Sequence, residues 1–269
     1  MACGCGRSPD GCRGWHALTE EEFQVEYQTY LNEKEGKLRV TDVEHYTDTL
    51  FKFKLTKPEN FEFKSGQFTM IGLDDTPKRA YSITAGPQDN FIEFYSIKVQ
   101  DGALTSKLQN IQVGDFVNVS DKSVGNLVVE NLDEGTDLWL LATGTGIAPF
   151  ISMLCDEYTY QRFQNIHVLW SVREKKEINS FHSFLNELNI EYTPIVTRDE
   201  DWKGEKDRIT TLIKEGKILK DATPDLHKVM ICGNMDFNVE IRDMLKERGW
   251  KEGSNRENGS FLLEKAFVE

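Results

Sequence analysis

The chain has 269 residues, 29% of them charged and 39% hydrophobic, with a formal net charge of −13 at pH 7. That length suffices for two compact domains. The acidic balance argues against general nucleic-acid binding, which needs clustered Lys and Arg on phosphates. No apolar run approaches the roughly 20 residues of a membrane-spanning helix, so no membrane insertion is expected.

Residues 1–36 form an extension unlike the rest. No basic segment followed by an apolar one opens the chain, so no secretory signal is read and a cytoplasmic location is expected. Cys3, Cys5 and Cys12 cluster here among glycines, whereas Cys155 and Cys232 stand alone. An odd, lopsided cysteine count reads as reduced thiols, not as a disulfide framework. Thr19 followed by Glu22 is a capping-box pattern, and Leu18 and Phe23 stand where a hydrophobic staple would. Phe23, Tyr27, Tyr30 and Leu31 recur at helical spacing, and Gly36 sits where a C-cap glycine belongs.

From residue 37 to residue 133 short alternating or apolar runs are separated by turn signals such as Lys57-Pro58-Glu59-Asn60 and Gly86-Pro87-Gln88-Asp89-Asn90. This rhythm predicts an antiparallel β-barrel interrupted by one helix around residues 104–108. Residues 134–269 change to strand–helix–strand order. Strands are expected at 138–142, 166–170, 192–196 and 228–231, with helices through 148–158, 181–188 and 239–245. Such alternation predicts an α/β domain with a parallel sheet and helices on both faces. The boundary is placed in the turn at residues 131–135.

Three short motifs carry chemistry. In Arg79-Ala80-Tyr81-Ser82, strand alternation puts Arg79 and Tyr81 on one face and Ser82 on the other. Arg is suited to a pyrophosphate and a Tyr ring to a flat heteroaromatic; an ordinary strand with one exposed Arg is the alternative. Near it, the turn Asp101-Gly102-Ala103-Leu104-Thr105 opens a helix whose free N–H groups would attract phosphate. Gly144-Thr145-Gly146-Ile147-Ala148-Pro149 lies where a strand meets a helix. Gly144 and Gly146 would let backbone approach a dinucleotide, although Pro149 stands in place of the third glycine of the dehydrogenase fingerprint. The third motif is Cys232-Gly233-Asn234-Met235, in which Cys232 also fits a buried structural thiol.

In this order the motifs resemble those of the ferredoxin–NADP reductase family, in its bacterial branch, from about residue 37 to the end Ala266-Phe267-Val268-Glu269. The resemblance implies an FAD-binding barrel followed by an NADP-binding α/β domain. It implies FAD contacts from Arg79, Ala80, Tyr81, Ser82, Ser96, Ile97, Lys98, Val99, Ala103, Leu104, Thr105, Thr145, Ala266 and Phe267. On the NADP side it implies Gly144, Gly146, Arg173, Arg198, Arg208, Cys232, Gly233, Asn234 and Asp236. Ser82, Cys232 and Glu269 would be the positioning groups for hydride transfer, which needs alignment more than a strong base. The three arginines favour NADP over NAD, unless Asp199, Glu200 and Asp201 neutralise them.

The implied activity is that of a monomeric flavoenzyme moving electrons between NADPH and ferredoxin or flavodoxin. Reduction of free flavin or another small acceptor is the alternative. The five histidines share no ligand spacing in the main body, so no metal is expected there. Cys3, Cys5, Cys12 and His16 are a candidate zinc set, although Cys-x-Cys with a longer gap to the third Cys fits no common zinc or plant-type cluster spacing. A redox-labile tail is the other reading, and a metal-binding adaptor with a decayed body is the non-enzymatic one.

Overall fold

In the computed structural model, which describes residues 6–8 and 12–266, Thr19 opens the first helix, α1 (Glu20–Lys34). Its hydroxyl accepts from the Glu22 N–H while the Glu22 carboxylate accepts from the Thr19 N–H, so the capping box is complete. Trp15 is buried edge-on against Phe23, Tyr27 and Tyr30 of this helix. Gly36, at φ +74°, turns the chain into the first sheet, and its carbonyl accepts from the Val119 N–H.

Six antiparallel strands follow: β1 (Lys37–His45), β2 (Leu50–Thr56), β3 (Phe68–Gly72), β4 (Arg79–Ser82), β5 (Phe91–Ile97) and β6 (Phe116–Val124). Their order is β4-β3-β6-β1-β2-β5, and an antiparallel bridge from Ile83 to Phe94 joins the two edge strands. Inward-facing Val40, Phe51, Phe53, Leu55, Ile71, Ile92 and Phe94 fill the interior. Closure removes the exposed edges and places the end of β4 beside the end of β5. The helix α2 (Thr105–Leu108) is a single turn, whose buried Leu104 and Leu108 plug the interior.

The second sheet is wholly parallel, in the order β11-β10-β7-β8-β9. In chain order its elements are β7 (Asp137–Thr143), α3 (Ala148–Leu154), α4 (Glu157–Arg162), β8 (Asn165–Val172), α5 (Lys175–Ile178), α6 (His182–Glu187), β9 (Glu191–Val196), α7 (Ile209–Lys214), β10 (His227–Gly233), α8 (Met235–Glu247) and β11 (Phe261–Lys265). Separate apolar layers lie on its two faces, around Phe150 and Trp170 on one and around Ile209, Ile241 and Leu245 on the other.

Two features depart from expectation. The segment 148–158 is not one helix, because Asp156 breaks it. One Asp156 oxygen accepts from the Tyr158 N–H and starts α4, while the other accepts from the Ser65 hydroxyl of the barrel. The strand β11 was not foreseen, because its alternation is hidden in the continuous run Phe261-Leu262-Leu263. In a parallel strand covered on both faces such a run is what burial demands.

The two sheets are docked by polar bonds as well as by apolar contact. The buried Ser152 hydroxyl donates to the Ala85 carbonyl at 2.6 Å, and the Gln88 amide donates to the Cys155 carbonyl at 2.6 Å. Tyr95 of β5 meets Phe181 edge-on at 5.0 Å. Replacing Ser152 by Ala leaves the Ala85 carbonyl without this donor inside the interface. Ser152→Ala is therefore expected to lower the unfolding free energy by about 1–3 kcal/mol, read as a lower urea midpoint at unchanged slope.

Candidate functional site

In an open parallel sheet, ligands settle where neighbouring connections leave in opposite directions, outside the carboxyl ends of the strands. Here that point lies between β7 and β10, since the chain passes from β7 outward to β8 and β9 and then returns to the other side of β7. Both glycine-bearing motifs sit there. Gly144 to Ile147 form a 3-10 turn directly after β7, and Cys232-Gly233 end β10 beside Ala142.

The turn and the strand end touch. A Cβ on Gly146 would lie 2.2 Å from the Cys232 carbonyl oxygen, closer than any real Cβ contact. Gly144 has φ +53° and open space around it, and its carbonyl accepts from the buried Trp170 indole N–H at 2.8 Å. One glycine is thus required for packing and the other leaves the turn accessible. Beyond β10, Asn234 caps α8 by accepting from the Phe237 N–H, and Asp236 lies exposed in its first turn.

The barrel supplies the facing wall. Arg79, Ala80, Tyr81 and Ser82 are β4 itself, all half-buried, and Tyr81 and Ser96 hydroxyls lie 3.2 Å apart. Arg79, Ala80, Tyr81, Ser82, Ser96, Ile97, Val99 and Thr105 share one cleft with Thr145, Cys232 and Ala266 from the second sheet. Tyr95 and Ala148 line it as well and were missed in the sequence.

Some expected residues are placed differently. Lys98 lies just beyond β5, which ends at Ile97, and is not among the lining residues. Leu104 is fully buried in the barrel and Ala103 is exposed, so these two offer backbone, not side chains. With only four residues, α2 supplies almost no dipole, and anion attraction there falls to the amides of the turn. Phe267 and Glu269 lie outside the described residues, as do Cys3 and Cys5.

Next to the cleft, Glu264 on β11 sets a carboxylate against Ser82. Its Oε1 lies 3.5 Å from the Ser82 hydroxyl, and burial pushes its pKa up to about 7. Strand pairing sets Glu264 beside Cys232, whose thiol burial raises well above its ordinary value and so keeps neutral. The signal for Glu264 was a lone acid two residues beyond Leu262 on the same face of a strand.

Arg173 and Arg198 follow β8 and β9 and are joined by a hydrogen bond from the Arg198 N–H to the Arg173 carbonyl; Arg208 precedes α7. All three side chains are exposed. Among the described residues none of the three arginines is ion-paired with Asp199, Glu200 or Asp201, and Asp199 accepts from the backbone N–H groups of Lys175 and Asp201.

Family models for the "Oxidoreductase FAD-binding domain" and the "Oxidoreductase NAD-binding domain" match residues 38–126 and 140–243. The flavodoxin/ferredoxin–NADP reductase of Rhodobacter capsulatus is 40% identical over 250 residues, covering 85% of this chain and 92% of that one. The ferredoxin–NADP reductase of Azotobacter vinelandii is 38% identical, covering 86% and 97%. This chain belongs to the ferredoxin/flavodoxin–NADP reductase family. Among solved structures, a ferredoxin NADP+ reductase from Neisseria gonorrhoeae with bound FAD and NADP superposes with a TM-score of 0.80 at 30% identity, covering 86% of this reductase and 98% of that chain.

Two outcomes follow from this geometry. Gly146→Ala must force the turn away from β10, and a loss of nicotinamide-dinucleotide affinity of at least tenfold is expected in equilibrium titration. The raised Glu264 pKa means that folding favours its protonated form. Its contribution to stability is full below about 4.5 and is lost as the pH rises through about 7. Glu264→Gln should therefore remove about 1–3 kcal/mol of the stability difference between pH 5 and pH 8, measured by denaturant unfolding.

Proposed function

We propose that this reductase takes a hydride from NADPH and delivers electrons, through FAD, to ferredoxin or flavodoxin. The observation that carries the reading is the single cleft in which β4 and β5 of the barrel face the β7–β10 switch point of the parallel sheet. The lining fits a flavin. Ala80, the Tyr81 ring, Ile97, Ala148 and Ala266 offer apolar surface for a flat ring system, while Ser82, Ser96 and Thr145 offer polar edges. Arg79 and the turn amides before α2 suit a pyrophosphate. When bound there, the flavin accepts two electrons as a hydride and releases them singly.

The chain's own groups have distinct tasks. Tyr81 covers one side of the ring site, held in place by its hydroxyl contact with Ser96. Gly144, Thr145 and Gly146 admit the dinucleotide, and Trp170 fixes the carbonyl of that turn. Neutral Cys232 fills the end of β10 without adding charge beside a reacting carbon. Glu264 is an acid of the site: near neutral pH its Oε1 holds or releases a proton next to the Ser82 hydroxyl. Gly233, Asn234 and Asp236 shape the nicotinamide side, and small Ala266 leaves room there. The reductase acts as a monomer in the cytoplasm.

Arg173, Arg198 and Arg208 serve the 2′-phosphate. Changing Arg198 to Ala is expected to raise KM for NADPH about tenfold, through loss of a charge-assisted phosphate contact, while leaving KM for NADH nearly unchanged. Steady-state assays with the two donors check this.

The decisive experiment is anaerobic mixing of the purified yellow protein with NADPH. Bleaching of the flavin, followed by recovery of colour on adding oxidised ferredoxin or flavodoxin, supports the reading. Recovery with free flavin alone would favour the small-acceptor alternative. Failure of NADPH to bleach the chromophore would refute hydride transfer.

A further inference from the structure

Asn238 on α8 is a polar side chain in an apolar place. It is only 1% exposed and shares a helix face with buried Ile241 and Leu245, three and seven residues further on. Its amide nitrogen donates to the Glu264 carbonyl at 2.8 Å, whereas its amide oxygen is buried with no hydrogen-bond partner among the described residues. An acceptor left unpaired in the interior is destabilising, and a leucine of similar size would fill this position without that cost. The group is therefore explained by what its N–H holds.

That bond falls on one particular residue. The helix α8 starts directly after β10, Asn234 caps it, and the Asn238 N–H donates to the Asn234 carbonyl to close its first turn. From there the Asn238 amide reaches β11 at the residue whose carboxyl lies 3.5 Å from the Ser82 hydroxyl. The strand β11 is an edge strand with β10 alone beside it, and its end is tied down again where the Ala266 N–H donates to the Gly233 carbonyl. On the barrel side the Glu264 carboxyl meets Ser82 and the turn at Gly125, where a Cβ would lie 3.4 Å from Oε2. No ion pair reaches this carboxyl among the described residues, and the Cys232 thiol beside it is neutral. Burial, opposed only by the Ser82 hydroxyl, raises its pKa, so its protonation follows how deeply the backbone of β11 seats it.

We propose that Asn238 is a positioning residue of this reductase: by holding the Glu264 carbonyl it seats the Glu264 carboxyl against the Ser82 hydroxyl, where that carboxyl exchanges a proton. Asn238 does not itself line the cleft. Its effect on turnover rests on the electron-transfer reading proposed above, whereas its effect on Glu264 does not.

The test is a double-mutant cycle on the full chain with FAD bound. Denaturant unfolding at pH 5 and pH 8 is compared for wild type and Glu264→Gln, and again with Asn238→Leu or Asn238→Ser added to each. Leucine keeps the volume without a donor, and serine keeps a hydroxyl too short to reach β11. The part of stability owed to Glu264 favours pH 5, because the carboxyl takes up a proton on folding. Without the amide the carboxyl relaxes toward water, and at least half of that part is expected to disappear. Ile241→Val, a packing change on the same helix face, should lower stability equally at both pH values and leave the Glu264 part intact. The pH profile of flavin reduction by NADPH should move to lower pH in the Asn238 variants. An undiminished Glu264 part in either Asn238 variant, an equal loss in Ile241→Val, or an unmoved pH profile would overturn the proposal. If NADPH fails to bleach the flavin even in the wild type, the electron-transfer reading falls, and the unfolding cycle still decides the role of Asn238.

Discussion

Between the turn after β7 and the last residues of β10 there is no space for even a methyl group. The Gly146 Cα packs directly on the Cys232 peptide, and most of what the cleft does follows from that contact. It brings the loop that admits a dinucleotide against the strand that carries the buried thiol. It also fixes the level at which the barrel wall meets the parallel sheet. A larger residue would separate groups that act only when a few ångströms apart, and alignment is the main requirement of hydride transfer.

The docking of the two sheets protects this geometry. The bonds from Ser152 to Ala85, Gln88 to Cys155 and Ser65 to Asp156 are all made between the barrel side and the helices after β7. Leu50 and Tyr95 of the barrel share one apolar cluster with Phe150 and Trp170. These contacts tie the barrel to the helices that follow β7 and hold the two walls of the cleft in place.

Much of this was legible in the sequence because it is local. The capping box at Thr19, the alternating strands of the barrel and the glycine turn at Gly144 each declare themselves within a few residues. What stayed hidden was set by distant partners. Asp156 breaks a helix because the Ser65 hydroxyl and the Tyr158 amide both claim its carboxylate. The strand β11 reads as a featureless apolar run, and only pairing with β10 turns Glu264 toward Ser82. Glu264 therefore escaped notice, because only the β10–β11 register sets it beside Cys232.

The register of β11 has a consequence for the order in which the enzyme matures. Side chains alternate along a strand, so a slip of one residue would present Lys265 to the cleft and turn Glu264 away. Synthesis runs from the amino end, and residues 261–266 leave the ribosome after every other described segment. The nascent protein can therefore form its barrel and four strands of its second sheet while still lacking an acid beside Ser82. The contact between Ser82 and Glu264 therefore forms only once β11 has paired with the edge of β10.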